Sequence, residues 1–309
     1  MGEIKTGYAL LIFSFFLNLC MKYFLMILFL LNVFRSNAQN QESQVLFYNV
    51  GFGGMTSGVG ALINKPKGTN WKKIFIKAFW QGSIGGFLNY TSKKTLYLNN
   101  KYQNNNFSWP SKLMHSASTS IMENAALNEP FLQNWNIDYG LIRVDFSLAK
   151  KKVLKVRLLP EAIYAIIVAS KYGKFDLKNT VETGNIIFSS ENLLMLPNGE
   201  YRTGISIGRA IAFVDNFPNN INKYQLLAHE IIHQYQYGEY QVLNSWLKPI
   251  EPKIKSKILS TIFRKYIYLD LPYIILPYFL EGQYDYPHYF KNFYEFEAER
   301  FSTNSFVPR

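Results

Sequence analysis

The stretch LLAHEIIHQYQYGEY, residues 226–240, carries two of the chain's four histidines, His229 and His233, four residues apart with Glu230 between them. The spacing predicts a helix capped by Asn222 and ending at Gly238, a residue suited to the left-handed position past a helix C-terminus. On such a helix the two imidazoles lie one turn apart on one face, so both reach a single ion, as zinc requires. Glu230 is offset by one residue and sits beside the ion, where a carboxylate can take a proton from a metal-activated water. The plain alternative is an amphipathic helix that happens to carry two histidines.

A catalytic zinc needs a third protein ligand, and two positions compete for it. In the pattern H-E-x-x-H-x-x-G-x-x-H the last ligand falls six residues after the second histidine. That slot holds Glu239 here, and Gln236 stands where the glycine turn belongs. The other position is the run EFEAE, 295–299. At helical spacing Glu295, Ala298, Glu299 and Ser302 share one face, with a small residue that admits a neighbouring helix, while Phe293, Phe296 and Phe301 pack elsewhere. Taken alone, EFEAER reads as a solvated charge run.

Together, HEIIH and the distal E-x-x-A-E resemble the gluzincin arrangement of the CAAX-prenyl-protease and HtpX group of zinc metallopeptidases. The resemblance implies Glu295 as the third zinc ligand and Glu299 as the acid that supports a histidine ligand. It covers the two motifs only. Those proteases cross the membrane several times, whereas nothing between the motifs here reads as a bilayer span.

The rest of the chain bounds this reading. Residues 8–34 are almost continuously apolar and give way to RSNAQNQES. This is the pattern of a secretory signal over 1–38, with translation starting at Met1 or Met21, cleavage after Ala38 and export to the periplasm, outer membrane or exterior. A retained N-terminal anchor is the alternative. The only cysteine, Cys20, lies in that segment, so core burial or a metal stabilises the remainder. A net charge of +12 favours anionic lipid or polysaccharide, and no nucleic-acid-binding module is visible.

Two glycine-rich segments, 47–64 and 78–90, predict a close-packed helical hairpin. Trp71, Trp80 and several lysines flank it, which opens it to membrane-surface contact. Between 111 and 128, His115, Thr119 and Glu123 fall on one helical stripe. His115 and Glu123 are therefore candidates for accessory roles at the metal site, against the ordinary reading of a hydrogen-bonded core histidine. From 135 to 215 short β-branched and aromatic runs predict an antiparallel sheet, with a hairpin turn at Asn198-Gly199 and GISIGRAIAFVD (204–215) as a strand preceding the helix. A small outer-membrane barrel competes with this reading. Residues 248–269 form a basic amphipathic stretch, and prolines interrupt the apolar run 270–282.

The expected architecture is α+β and zincin-like: an antiparallel sheet, an active-site helix, then a helical C-terminal part. A mostly helical region 39–130 precedes the metallopeptidase region 131–309. The expected function is that of an exported zinc-dependent peptidase acting on a peptide or protein substrate. The alternative is a non-catalytic cell-envelope protein in which HEIIH is structural or accidental.

Overall fold

The computed structural model describes residues 41–148, 154–197, 199–215, 222–249, 256, 261–263, 265–270, 273 and 292–303. The signal-like segment 1–38, half of the basic stretch 248–269 and most of 270–282 lie outside the described residues.

Glycine content builds the first layer. Helices α1 (Gln41–Ile63) and α2 (Trp71–Thr95) form an antiparallel hairpin whose backbones touch. A β-carbon added at Gly86 would sit 2.1 Å from the Asn49 carbonyl oxygen, and one at Gly53 would sit 2.5 Å from that of Gly82. Only glycine permits this approach. Asn70 caps α2 by accepting from the Lys72 amide. After the short α3 (Tyr97–Tyr102) and a 3-10 turn, α4 (Ser108–Ala126) completes the layer, with Met122 and Ser118 against Gly85.

Strands β1 (Asn134–Tyr139), β2 (Ile142–Ser147) and β3 (Leu154–Leu158) make an antiparallel meander, turning between the first two at Gly140, where φ is +54°. Helix α5 (Pro160–Ala169), β4 (Lys174–Phe175), α6 (Leu177–Thr183) and β5 (Ile186–Ser190) follow. The next two strands, β6 (Leu194–Met195) and β7 (Tyr201–Arg202), are a hairpin turning at Gly199, φ +85°, as the sequence predicts. The segment 204–215 is two strands rather than one. Gly208, at φ +55°, reverses the chain between β8 (Gly204–Ile207) and β9 (Ala210–Val214).

The second sheet has the order β4-β5-β9-β8. It is mixed, not purely antiparallel, because β5 and β9 run parallel. Every residue of β9 is buried, and its side chains alternate between two cores. Ile211 and Phe213 join the cluster formed by α1 and by the helix that follows, α7 (Lys223–Gly238). Ala210, Ala212 and Val214 face Ala165 and Ala169 of α5. A strand covered on both faces needs this all-apolar composition.

Beyond α7 the chain tightens into a 3-10 helix, Glu239–Leu247, and the last described helix is α8 (Phe293–Thr303). The main cluster takes Val45, Tyr48 and Phe52 from α1, Leu227 and Ile231 from α7, and Phe293, Ala298 and Phe301 from α8. One core thus runs across residue 130. No described helix is long and apolar enough to cross a membrane.

Candidate metal centre

Helix α7 starts where expected, with Asn222 accepting from the Tyr224 amide at 3.0 Å. Its end is not the expected one. Gly238 has a right-handed backbone, φ −62°, and the helical path continues through Glu239. Its missing side chain has another purpose, since a β-carbon there would lie 2.4 Å from His115 Nε2.

One face of α7 meets α8. The Nε2 atoms of His229 and His233 lie 3.1 Å apart, and Glu295 Oε2 lies 3.2 Å from the first and 3.4 Å from the second. A tetrahedral ion with bonds of about 2.0–2.1 Å separates neighbouring ligand atoms by roughly 3.3–3.4 Å. The three atoms therefore stand at the corners of a triangle of the right size to hold one ion, and these residues form a group that could hold a metal. Ala298, fully buried, is the small residue that lets α8 approach so closely.

The outer nitrogens orient the rings. His233 Nδ1 donates to Gln236 Oε1 at 2.8 Å, which leaves the Nε2 lone pair aimed at the centre. Gln236 is held in turn, its Nε2 donating to the Tyr294 carbonyl at 2.9 Å and to Glu297 Oε2 at 2.8 Å. Glu297 is completely buried and takes Lys93 Nζ at 2.9 Å on both oxygens. Lys93 also pairs with Glu239, so a continuous polar chain runs from the imidazole into the α1–α2 layer. Burial, opposed by Lys93, pushes Glu239 up to about 7. Glu299 Oε2 lies 3.7 Å from His229 Nδ1, on the side expected for a supporting acid.

The charges around the centre are strongly coupled. Burial works against a charge on His229, yet Glu295 and Glu299 outweigh it and hold the imidazole up at about 10. His233 is likewise raised, with desolvation overcome by Glu295. Glu295 resists its own burial because the imidazoles hold its carboxyl well below the usual carboxylate range. The cluster is built to keep positive charge at its centre, and an ion bound there displaces protons. Glu230 is only 5% exposed, and burial raises its carboxyl while the two imidazoles pull the other way. Strand β8, an edge of the second sheet, runs beside it: a β-carbon on Gly204 would lie 2.7 Å from Glu230 Oε1.

Of the residues singled out from sequence, His229, His233, Glu295, Glu230 and Glu299 come together. His115 and Glu123 do not. His115 stacks on Tyr235 with ring centroids 4.3 Å apart and bonds Asn89 Oδ1 through Nδ1 at 2.8 Å. Burial lowers its pKa to about 3. Glu123 is held by Arg143 at 2.6 Å, since the inward arginine of β2 needs a buried counter-charge. Glu239, in the competing ligand slot, is occupied with Lys93. Gln236 and Glu297 were missed from sequence. The one available signal was that Gln236 follows His233 by three residues, within reach on the same face.

Compared with known proteins, the chain matches no family model, no curated protein and no solved structure.

Proposed function

We propose that the chain is a zinc-dependent peptidase of gluzincin type, with a zincin-like arrangement in which the mixed sheet, α7 and α8 supply the site. The observation that carries this reading is the triangle of His229 Nε2, His233 Nε2 and Glu295 Oε2, with sides of 3.1–3.4 Å. Two imidazoles and one carboxylate in tetrahedral spacing suit zinc and leave a position open for water. When bound, zinc supplies a Lewis acid that polarises the scissile carbonyl and acidifies the attacking water.

The chain's own residues do the remainder. Glu230 takes the proton of the attacking water and delivers it to the leaving amine, and its upward shift brings it nearer the neutral range where such transfer is efficient. Gln236 and Glu299 hold the two imidazoles in register. The backbone of β8, at the sheet edge beside Glu230, pairs with an extended peptide and sets its carbonyl against the centre.

The test is to purify the full chain and its Glu230→Gln variant, measure zinc content, and digest a peptide library. The expected result is equal zinc in both proteins and cleavage by wild type alone. Unchanged cleavage by the variant removes Glu230 as the base, and wild-type protein that holds zinc without cleaving any peptide contradicts the peptidase reading.

A further inference from the structure

Helix α2 is built inside out. The side it buries is made of small and polar residues, Ala78, Gly82, Gly85, Gly86, Asn89 and Lys93, packed against α1 and α4. Its large apolar residues face outward: Ile76 is 55% exposed, Trp80 65%, Ile84 52% and Phe87 52%. Their spacing of four, four and three residues places them on one stripe. Lys73 and Lys77 fall on or beside the same stripe, whereas Trp71, at the helix start and 56% exposed, points to the other side of α2.

A helix facing water turns its apolar residues inward, so an outward row of this size marks a surface that meets something else. Charge identifies what. Between Glu42 and Glu123 the chain has nine lysines and no acidic residue. None of Lys67, Lys72, Lys73 and Lys77 has a carboxylate partner among the described residues. Tryptophan, aliphatic residues and uncompensated lysine on one face match the boundary between lipid tails and anionic headgroups.

We infer that the α2 face carrying Ile76, Trp80, Ile84 and Phe87 lies on an anionic membrane surface, with Lys67, Lys72, Lys73 and Lys77 among the headgroups. The docking sets α2 into the interface in parallel with the membrane plane, and it is independent of the metal centre.

Tryptophan fluorescence tests this in the full chain, because residues 1–40 contain no tryptophan and do not contribute to the signal. The protein is mixed with vesicles of brominated phosphatidylcholine and phosphatidylglycerol, three parts to one. Quenching by the brominated chains is expected, falling at least twofold in the Trp80→Phe variant, whose exposed position spares the fold. It is expected to weaken on phosphatidylcholine alone. Quenching of Trp80 by aqueous iodide with vesicles present overturns the inference, as does equal quenching on both vesicle types. Emission shielded from lipid and iodide alike, the result of cover by residues 8–34 or by a second copy, overturns it too.

Discussion

Replacing Gln236 with leucine isolates the link between the metal centre and the polar chain behind it. The two side chains are similar in size, so packing is largely preserved while three hydrogen bonds are lost. His233 Nδ1 loses its acceptor at 2.8 Å and the Tyr294 carbonyl loses a donor at 2.9 Å. Glu297 Oε2 loses Gln236 but keeps Lys93 at 2.9 Å. The Tyr294 carbonyl keeps its place in the α8 helical ladder, so the buried imidazole N–H is the group left unpaired, at about 1–3 kcal/mol of stability, reduced where water enters. Freeing the imidazole to rotate lowers zinc affinity by about 10–100-fold, or roughly 1.4–2.7 kcal/mol. Two assays separate these effects: urea unfolding in the presence of a chelator, and zinc competition against a chromogenic chelator at one fixed pH. Gln241→Leu is the control, because Gln241 is also buried and serves Asp138, with no bond to His229, His233 or Glu295. It is expected to lose stability while keeping zinc affinity. Folded Gln236→Leu protein that binds zinc as tightly as wild type would refute the orienting role, and so would an equal loss in Gln241→Leu.

Gly238→Ala is expected to lower the free energy of urea unfolding by about 1–3 kcal/mol, and the midpoint with it, although alanine normally stabilises a helix, because the new methyl meets His115 Nε2. An unchanged or higher midpoint would mean that His115, stacked on Tyr235 and tied to Asn89, gives way. Lys112 adds a pH dependence. Burial, partly offset by Asp138, lowers it from 10.5 to about 8, so between these values the unfolded chain holds the proton more tightly and stability rises with pH. The cost of roughly 3 kcal/mol is fully present below pH 8 and gone above 10.5. Urea titrations of wild type and Lys112→Met across that window are expected to converge as pH rises, and parallel curves would contradict the assignment.

Helical period made the centre legible. His229, His233 and Glu230 are neighbours on one turn, and the E-x-x-A-E spacing brings Glu295, Ala298 and Glu299 to one face of α8. The glycine pattern likewise foretold the α1–α2 hairpin, since close approach is a local property of a helix face. What escaped depends on partners distant in sequence. Glu297 looked like part of a solvated charge run, yet it is fully buried because Lys93, 204 positions away, neutralises it. Gly238 looked like a helix stop because glycine so often is one. Here Glu239 is drawn inward by Lys93, the helical path continues, and the glycine makes room for a ring from α4. The parallel pairing of β5 with β9 has no local signature either, being set by how the intervening hairpins fold away.

Diffraction at the zinc absorption edge, from crystals of the full chain grown with zinc, tests the centre most directly. One anomalous peak is expected at about 2.0–2.1 Å from His229 Nε2, His233 Nε2 and the nearer oxygen of Glu295. Zinc absent from that triangle, or bound by the imidazoles with Glu295 turned away, would contradict the account.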